Sequence, residues 1–352
     1  MSENTNIVPV LELKDLVVHY ETQDGVAEAV NGISFKVNES ETLGLVGETG
    51  AGKTTIALTA MGLLPDVGHV IEGEILLDGN PITITSRKKR DKKRYNKMMR
   101  SFRGGVMGMI FQDPMSALNP VMYVGDQIAE VVRLHNDVSK EESRKRAIEM
   151  METVGIPGGR YREYPHQFSG GMKQRIVIAM ALACNPRVLL ADEPTTALDV
   201  TIQAQVLDLM RDLQKKFKTA TLMITHDLGV VAETCDSVAV IYAGEVVEYG
   251  TAEHIFNNTK HPYTMALFNA LPSLDKDVDR LHSIQGLVTD PMDLPEHCSF
   301  SERCSEKCEA CSIIDPVTVE IEPGHLVKCI KYMSQESIDS MLASKAKEKE
   351  AK

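Results

Sequence analysis

No apolar run in the sequence approaches the roughly 20 residues that a membrane-spanning helix needs, so no segment is expected to cross a bilayer. A basic excess is also lacking. The 38 Lys and Arg stand against 50 Asp and Glu, a formal charge of -12, which argues against general nucleic-acid binding, because that affinity comes mostly from neutralised phosphates. The first residues, Met1-Ser2-Glu3-Asn4-Thr5-Asn6, carry neither the basic nor the apolar part of an export signal. The expectation is therefore a chain that stays in the cytoplasm, where disulfides are rare. No internal repeat is visible. Cysteine is sparse but unevenly placed: five of the 7 fall between Cys298 and Cys329, a clustering that asks for a reason other than disulfides.

What is present is ordinary in bulk and specific in detail. With 352 residues, two domains are expected rather than one. Hydrophobic content of 43% and charged content of 25% are those of a soluble globular protein. The most informative stretch is Gly47-Glu48-Thr49-Gly50-Ala51-Gly52-Lys53-Thr54-Thr55. It follows the apolar run Leu43-Gly44-Leu45-Val46, read as a buried strand, and precedes Ile56 to Met61, read as a helix. A glycine-rich turn in that context is a phosphate-binding loop. Its backbone N–H groups form an anion nest at a helix start, Lys53 is placed to reach the β- and γ-phosphates, and the Thr54 hydroxyl to ligate Mg²⁺. The bland reading of the same residues is a tight strand-to-helix turn.

Further along, Val8 to Tyr20, Ile33 to Val37 and Gly73 to Gly79 read as antiparallel strand material around the loop. The basic run from Arg87 to Arg94 is expected to be a solvated, flexible insertion, with a nucleic-acid or anionic-lipid contact as the sharper alternative. Val106 to Phe111 reads as a strand, Val121 to Val154 as helical, and Gly171 to Cys184 as a helix. Val188-Leu189-Leu190-Ala191 and Thr221-Leu222-Met223-Ile224 read as strands flanking a helix over Val200 to Phe217, and another helix is expected from Pro262 to Ala270. The alternation predicts a largely parallel sheet with helices on both faces and an inserted helical block.

Two more stretches carry chemistry. The strand Val188 to Ala191 ends in Asp192-Glu193. In a phosphate-loop protein the first acid belongs on Mg²⁺ and the second orients or deprotonates the attacking water; the bland reading is a pair of acids capping the next helix. Phe168-Ser169-Gly170-Gly171-Met172 opens a helix and so makes a second anion-binding end. One nucleotide on one chain does not need two such ends. A dimer does, if each chain offers this end to the nucleotide held by the other; a plain N-cap is the alternative.

Taken together these stretches resemble the ATP-binding cassette (ABC) ATPases. Gly47 to Thr55 matches the Walker A motif, Gln112 the Q-loop, Phe168 to Met172 the signature, Val188 to Glu193 the Walker B motif, Ala197-Leu198-Asp199 the D-loop and His226 the switch histidine. Tyr20 lies where the family stacks an aromatic on adenine, though a strand tyrosine is common in any case. A narrower resemblance, from about Leu11 to Cys329, is to the dipeptide/oligopeptide importer ATPases. It is carried by Phe111 to Pro120, Pro165 to Met172, Ala191 to Val200 and His261-Pro262-Tyr263-Thr264, with Met172 pointing to one of the two subunit types.

The resemblance implies a P-loop NTPase (RecA-like) α/β core with an antiparallel β subdomain, together 8–255 and including a helical subdomain at about 115–180. An extension with a cysteine cluster follows at 256–333, and then a tail at 334–352 expected to lack order. It implies ATP held by Tyr20, the 47–55 loop, Gln112 and Asp199, and Mg²⁺ held by Thr54, Gln112 and Asp192. Glu193 is the implied general base, and His226 the implied sensor of the γ-phosphate. Ser169, Gly170 and Gly171 complete the site of a second, related ATPase subunit. Two transmembrane permease subunits and an extracytoplasmic binding protein are the further implied partners, with the chain at the cytoplasmic face of the membrane and peptides as cargo. Nickel or sugar import, or a soluble ABC ATPase acting on nucleic acid or the ribosome, are the alternatives. Met172 in place of the commoner Gln puts the strength of that half-site in doubt.

Cys298-x5-Cys304-x6-Cys311 followed by Cys329 resembles the subfamily's carboxy-terminal pattern, which can hold a [4Fe–4S] cluster. Zinc on a tighter set with Cys308, or no metal, stay open. Cys184 and Cys235 read as core thiols.

Overall fold

The structure, a computed structural model, describes residues 8–86, 88–196, 198–270 and 284–351. Met1 to Asn6, Arg87 and Ala197, which the sequence reading used, lie outside the described residues.

The fold is built on two sheets. The first is antiparallel, in the order Val26–Val37, Leu11–Glu21, Gly68–Leu77, Asn80–Pro81. Its inner face is made by Leu11, Leu13, Leu16 and Val18, all buried. The step from Leu13 to Leu16 breaks the two-residue alternation. A register shift there, with Asp15 at φ 46°, restores it by adding one residue to the strand.

The second sheet has eight strands, in the order Thr318–Glu322, His325–Lys328, Glu245–Thr251, Ser237–Tyr242, Thr42–Val46, Ala220–Ile224, Val188–Asp192, Met107–Ile110. The last five are mutually parallel. Thr42–Val46, Val188–Asp192 and Ala220–Ile224 are buried along their whole length, as parallel strands covered on both faces must be. One core cluster fills the space between this sheet and the helices Val124–His135, Lys140–Thr153 and Gly170–Leu182. The other joins the opposite face to the antiparallel sheet and the helix Lys53–Ala60.

Four elements differ from expectation. The helical stretch from Val121 to Val154 is two helices, because Asn136 turns its side chain back onto the Val132 carbonyl and Ser139 caps a new helix through the Glu142 N–H. The basic run is no flexible insertion: it opens the helix Lys89–Phe102, whose Met99 is fully buried and whose Tyr95, Met98 and Phe102 pack beside it. Burying one such side chain contributes roughly 1.5–3 kcal/mol. In the extension the sequence carries no sign of the hairpin Thr318–Lys328, which pairs with Glu245–Thr251 and so widens the core sheet. The tail, expected to lack order, contains the helix Gln335–Ala351, because Ile338, Met341 and Leu342 share a face that packs on Cys311, Ile314, Ile330 and Met333.

Candidate active site

The strand Thr42–Val46 delivers the chain into the 47–55 loop, and the helix Lys53–Ala60 carries it out. Gly50 and Gly52 hold φ of 86° and 95°, a region that favours glycine, and Gly52 is the residue from which the helix starts. Gly47 is required for another reason: a Cβ there would lie 2.2 Å from the Ile241 carbonyl oxygen. Lys53 is buried, and its ammonium donates to the carbonyls of Gly47 (2.7 Å) and Glu48 (2.9 Å). Burial lowers its pKa from the usual lysine value, while the charges of Glu193, Asp192 and Glu48 work the other way. Thr49, Gly50 and Thr54 are exposed at the mouth, with Ala51 buried beneath.

The strand Val188–Asp192 ends beside this loop. Asp192 is buried and hydrogen-bonded to Thr54; burial raises its carboxyl pKa, aided by Glu193 and opposed by the Thr54 bond and the Lys53 charge. Asp192 and Thr54 thus offer the hard oxygen donors that a magnesium ion takes.

Glu193 follows with φ at 48°, an uncommon conformation for a non-glycine residue and one found where a site over-determines the backbone. That turn swings its carboxylate toward three partners. Gln112 Nε2 donates to Oε2 at 3.0 Å, Thr196 Oγ1 donates to Oε2 at 2.9 Å, and His226 Nδ1 sits 2.9 Å from Oε1. Burial pushes the Glu193 carboxyl up, but hydrogen bonds from His226, Thr196 and Gln112 outweigh it, and the net direction is down. Glu193 is accordingly an anion at neutral pH, able to take a proton. The structure brings together Lys53, Thr54, Asp192, Glu193, Gln112 and His226.

Tyr20 stands at the edge of the same loop, its hydroxyl 3.1 Å from that of Thr55 and its ring against Gly68. Asp199 caps the helix Val200–Phe217 by accepting the Ile202 N–H. Ser169 caps Gly170–Leu182 through the Met172 N–H. Both Ser169 and Gly170 are exposed, and Gly171 lies so near Ile202 that a Cβ would come within 2.3 Å of its methyl group. Among the described residues no hydrogen bond or ion pair is seen between Ser169, Gly170 or Gly171 and the Lys53–Glu193 cluster. Arg160 braces the helix start, lying 4.2 Å above the Phe168 ring and bonding the Met172 sulfur and the Gln167 carbonyl.

Sequence reasoning missed several supporting groups. Thr196 lies three residues beyond Glu193 in the same turn. Gln174 had no signal: from the signature helix its buried amide donates to the Pro194 carbonyl beside Glu193. Tyr263 was noted only within a motif and Arg303 not at all, yet both reach Glu48.

In the extension, Cys298, Cys304, Cys308, Cys311 and Cys329 line one cavity of about 300 Å³, with His261 and Phe300. Burial pushes the Cys298 thiol up to about 12 and Cys311 to about 11, and raises Cys304 and Cys329 too. Cys308 lies 3.3 Å from Cys311. Among the described residues no three or more His, Cys, Asp or Glu are grouped so as to hold a metal ion. Cys184 accepts from Asn136 and Cys235 is buried against Gly44, both as packing thiols.

Comparison with known proteins agrees with this geometry. Residues 30–196 match the ABC transporter family, and residues 247–311 match the oligopeptide/dipeptide transporter C-terminal region. The oligopeptide transport ATP-binding protein OppD of Bacillus subtilis (strain 168) is 46% identical, covering 92% of this chain and 88% of its own. OppD of Escherichia coli (strain K12) is 45% identical over 93% and 94%, and the dipeptide transport ATP-binding protein DppD of B. subtilis is 45% identical over 91% and 94%. Among solved structures, cbiO1 of Clostridium perfringens, part of the ABC transporter complex cbiONQ, superimposes with a TM-score of 0.60 at 28% identity, covering 71% of this chain and 91% of that one. The ATP-binding cassette MJ0796, solved as a dimer bound to ADP and Pi, gives 0.58 at 26% identity, covering 69% and 98%. The chain belongs to the ABC transporter ATPases, in the branch that carries the oligopeptide/dipeptide transporter C-terminal region.

Proposed function

We propose that this ATPase powers the import of peptides, working with two transmembrane permease subunits, a second related ATPase subunit and an extracytoplasmic binding protein, at the cytoplasmic face of the membrane. The relatives named for oligopeptide and dipeptide transport support the cargo. Among the described residues no helix is long and apolar enough to cross a membrane, which fits a peripheral subunit that borrows its membrane path from others.

The observation that carries the chemistry is the carboxylate of Glu193, held by Gln112, Thr196 and His226 beside the Lys53–Asp192 pair. Lys53 and the 47–55 backbone bind the triphosphate. Thr54, Gln112 and Asp192 would hold Mg²⁺, which supplies charge neutralisation on the phosphate oxygens. Glu193 orients the attacking water and takes its proton. His226, tied to Glu193 and exposed toward the mouth, reads the γ-phosphate. The Ser169-Gly170-Gly171 start, exposed at Ser169 and Gly170, is offered to the nucleotide of the partner ATPase, so ATP joins the two subunits and its hydrolysis separates them.

Glu193→Gln tests this. It preserves shape and loses the base. The assembled importer carrying it should bind MgATP as the wild type does, turn over at least ~100-fold more slowly, and take up no peptide. Wild-type turnover by the variant would refute Glu193 as the base.

The cysteine cavity supports a second, structural cofactor. Each thiolate of a [4Fe–4S] cluster binds a different iron, so the sulfurs need only ring a cavity rather than converge on one point. About 300 Å³ walled by five thiols suits that better than a lone ion. Cys298, Cys304, Cys311 and Cys329 would hold the cluster, with Cys308 beside them, and a bound cation would draw off the protons that burial retains.

A further inference from the structure

Glu48, the second residue of the phosphate loop, is held from outside the nucleotide-binding fold. The Arg303 guanidinium grips its carboxylate with two bonds, Nη1 to Oε2 at 2.5 Å and Nη2 to Oε1 at 3.0 Å, across 255 residues of sequence. The Arg303 side chain is only 4% exposed. It lies over the Tyr242 ring and also donates from Nε to the Gln285 carbonyl. The Glu48 backbone N–H donates to the Tyr263 hydroxyl at 3.0 Å rather than into the anion nest. Tyr263 is itself fully buried, edge-on to Tyr242 and Phe300. The Glu48 carbonyl is taken by Lys53. Both tethers, Arg303 and Tyr263, belong to the C-terminal extension, and Arg303 adjoins Cys304.

A carboxylate in a triphosphate cradle is a liability. Its charge already reaches Lys53, and unpaired it would repel the phosphates and compete for that ammonium. Arg geometry suits the task of restraining it, because a bidentate pair fixes direction as well as charge.

We propose that Arg303 and Tyr263 are positioning residues of the nucleotide site: they hold Glu48 turned out of the phosphate cradle, so the C-terminal extension sets the affinity of this chain for ATP. The inference rests on the reading of 47–55 as that cradle.

The test is MgATP binding and steady-state hydrolysis by the full-length chain in its assembled importer. Wild-type binding that Lys53→Ala abolishes establishes the cradle separately; no binding by the wild type would end that reading and this inference with it. Arg303→Met should weaken MgATP binding about tenfold, the loss of one charge-assisted pair, with the loss falling on KM rather than kcat. Arg303→Lys should fall between the two. Adding Glu48→Gln to Arg303→Met should bring affinity back to within about threefold of the wild type, because the carboxylate needing restraint is gone. Tyr263→Phe should weaken binding a few-fold, again in KM. The inference is overturned if Arg303→Met binds MgATP like the wild type. It is equally overturned if the affinity lost is not recovered by Glu48→Gln, which would leave Arg303 only a brace for the extension.

Discussion

At the scale of single residues, the site depends on backbone positions that tolerate no substitute. Gly47 lets the strand Thr42–Val46 pass into the loop against the carbonyl of Ile241. A methyl group 2.2 Å from a backbone oxygen cannot be relieved by a side-chain rotation. Gly47→Ala should therefore push the loop out of shape and weaken MgATP binding more than ~10-fold, with the fold retained. Gly159→Ala is the control: nothing lies within 4 Å of its added methyl and binding should be unchanged. Equal affinities for the two variants, measured by nucleotide titration, would show that the close approach at Gly47 is not what shapes the cradle. Glu193 has the opposite character, a side chain that keeps a left-handed backbone because Gln112, Thr196 and His226 anchor it. The signal for its proposed role was Asp192-Glu193 at a strand end. Its φ had no such signal, since no residue-type rule assigns glutamate to that region.

At the scale of elements, legibility followed local pattern. The helix Val200–Phe217 was readable because Asp199 caps it and its apolar positions keep helical spacing. The helix Lys89–Phe102 was not, because the charges at its start masked Tyr95, Met98, Met99 and Phe102, which form the buried stripe further along. The hairpin Thr318–Lys328 left little trace: only His325 and Val327 are buried along its second strand, and His325 is there as the partner of the buried Glu248 at 2.9 Å. The Arg303–Glu48 pair had no local signal at all. The cysteine module is the element whose content is most open to direct measurement. Its five thiols line one cavity together with His261, Phe300 and Ile330. Purified without oxygen, the chain should be brown, contain iron and sulfide, and absorb at about 400 nm; Cys304→Ser with Cys329→Ser should bleach that band. A colourless protein with zinc, or with no metal, would contradict the cluster.

At the scale of the whole molecule, the candidate site and the signature helix start are set apart in their contacts. The phosphate loop, Asp192, Glu193 and His226 are gathered at one end of the parallel strands, while the Ser169-led helix start is braced by Arg160 and left exposed. The extension joins the same sheet through His325–Lys328 and reaches back to Glu48, so it contacts the nucleotide-binding core at two separate points. The central claim is that this exposed helix start completes the nucleotide site of a second ATPase. A photoactivatable crosslinker at position 169, in the assembled importer carrying Glu193→Gln to retain ATP, tests it directly. Capture of the partner ATPase at its own glycine loop, dependent on MgATP, is the predicted result. Capture of a permease subunit instead, or the same yield without nucleotide, would contradict it.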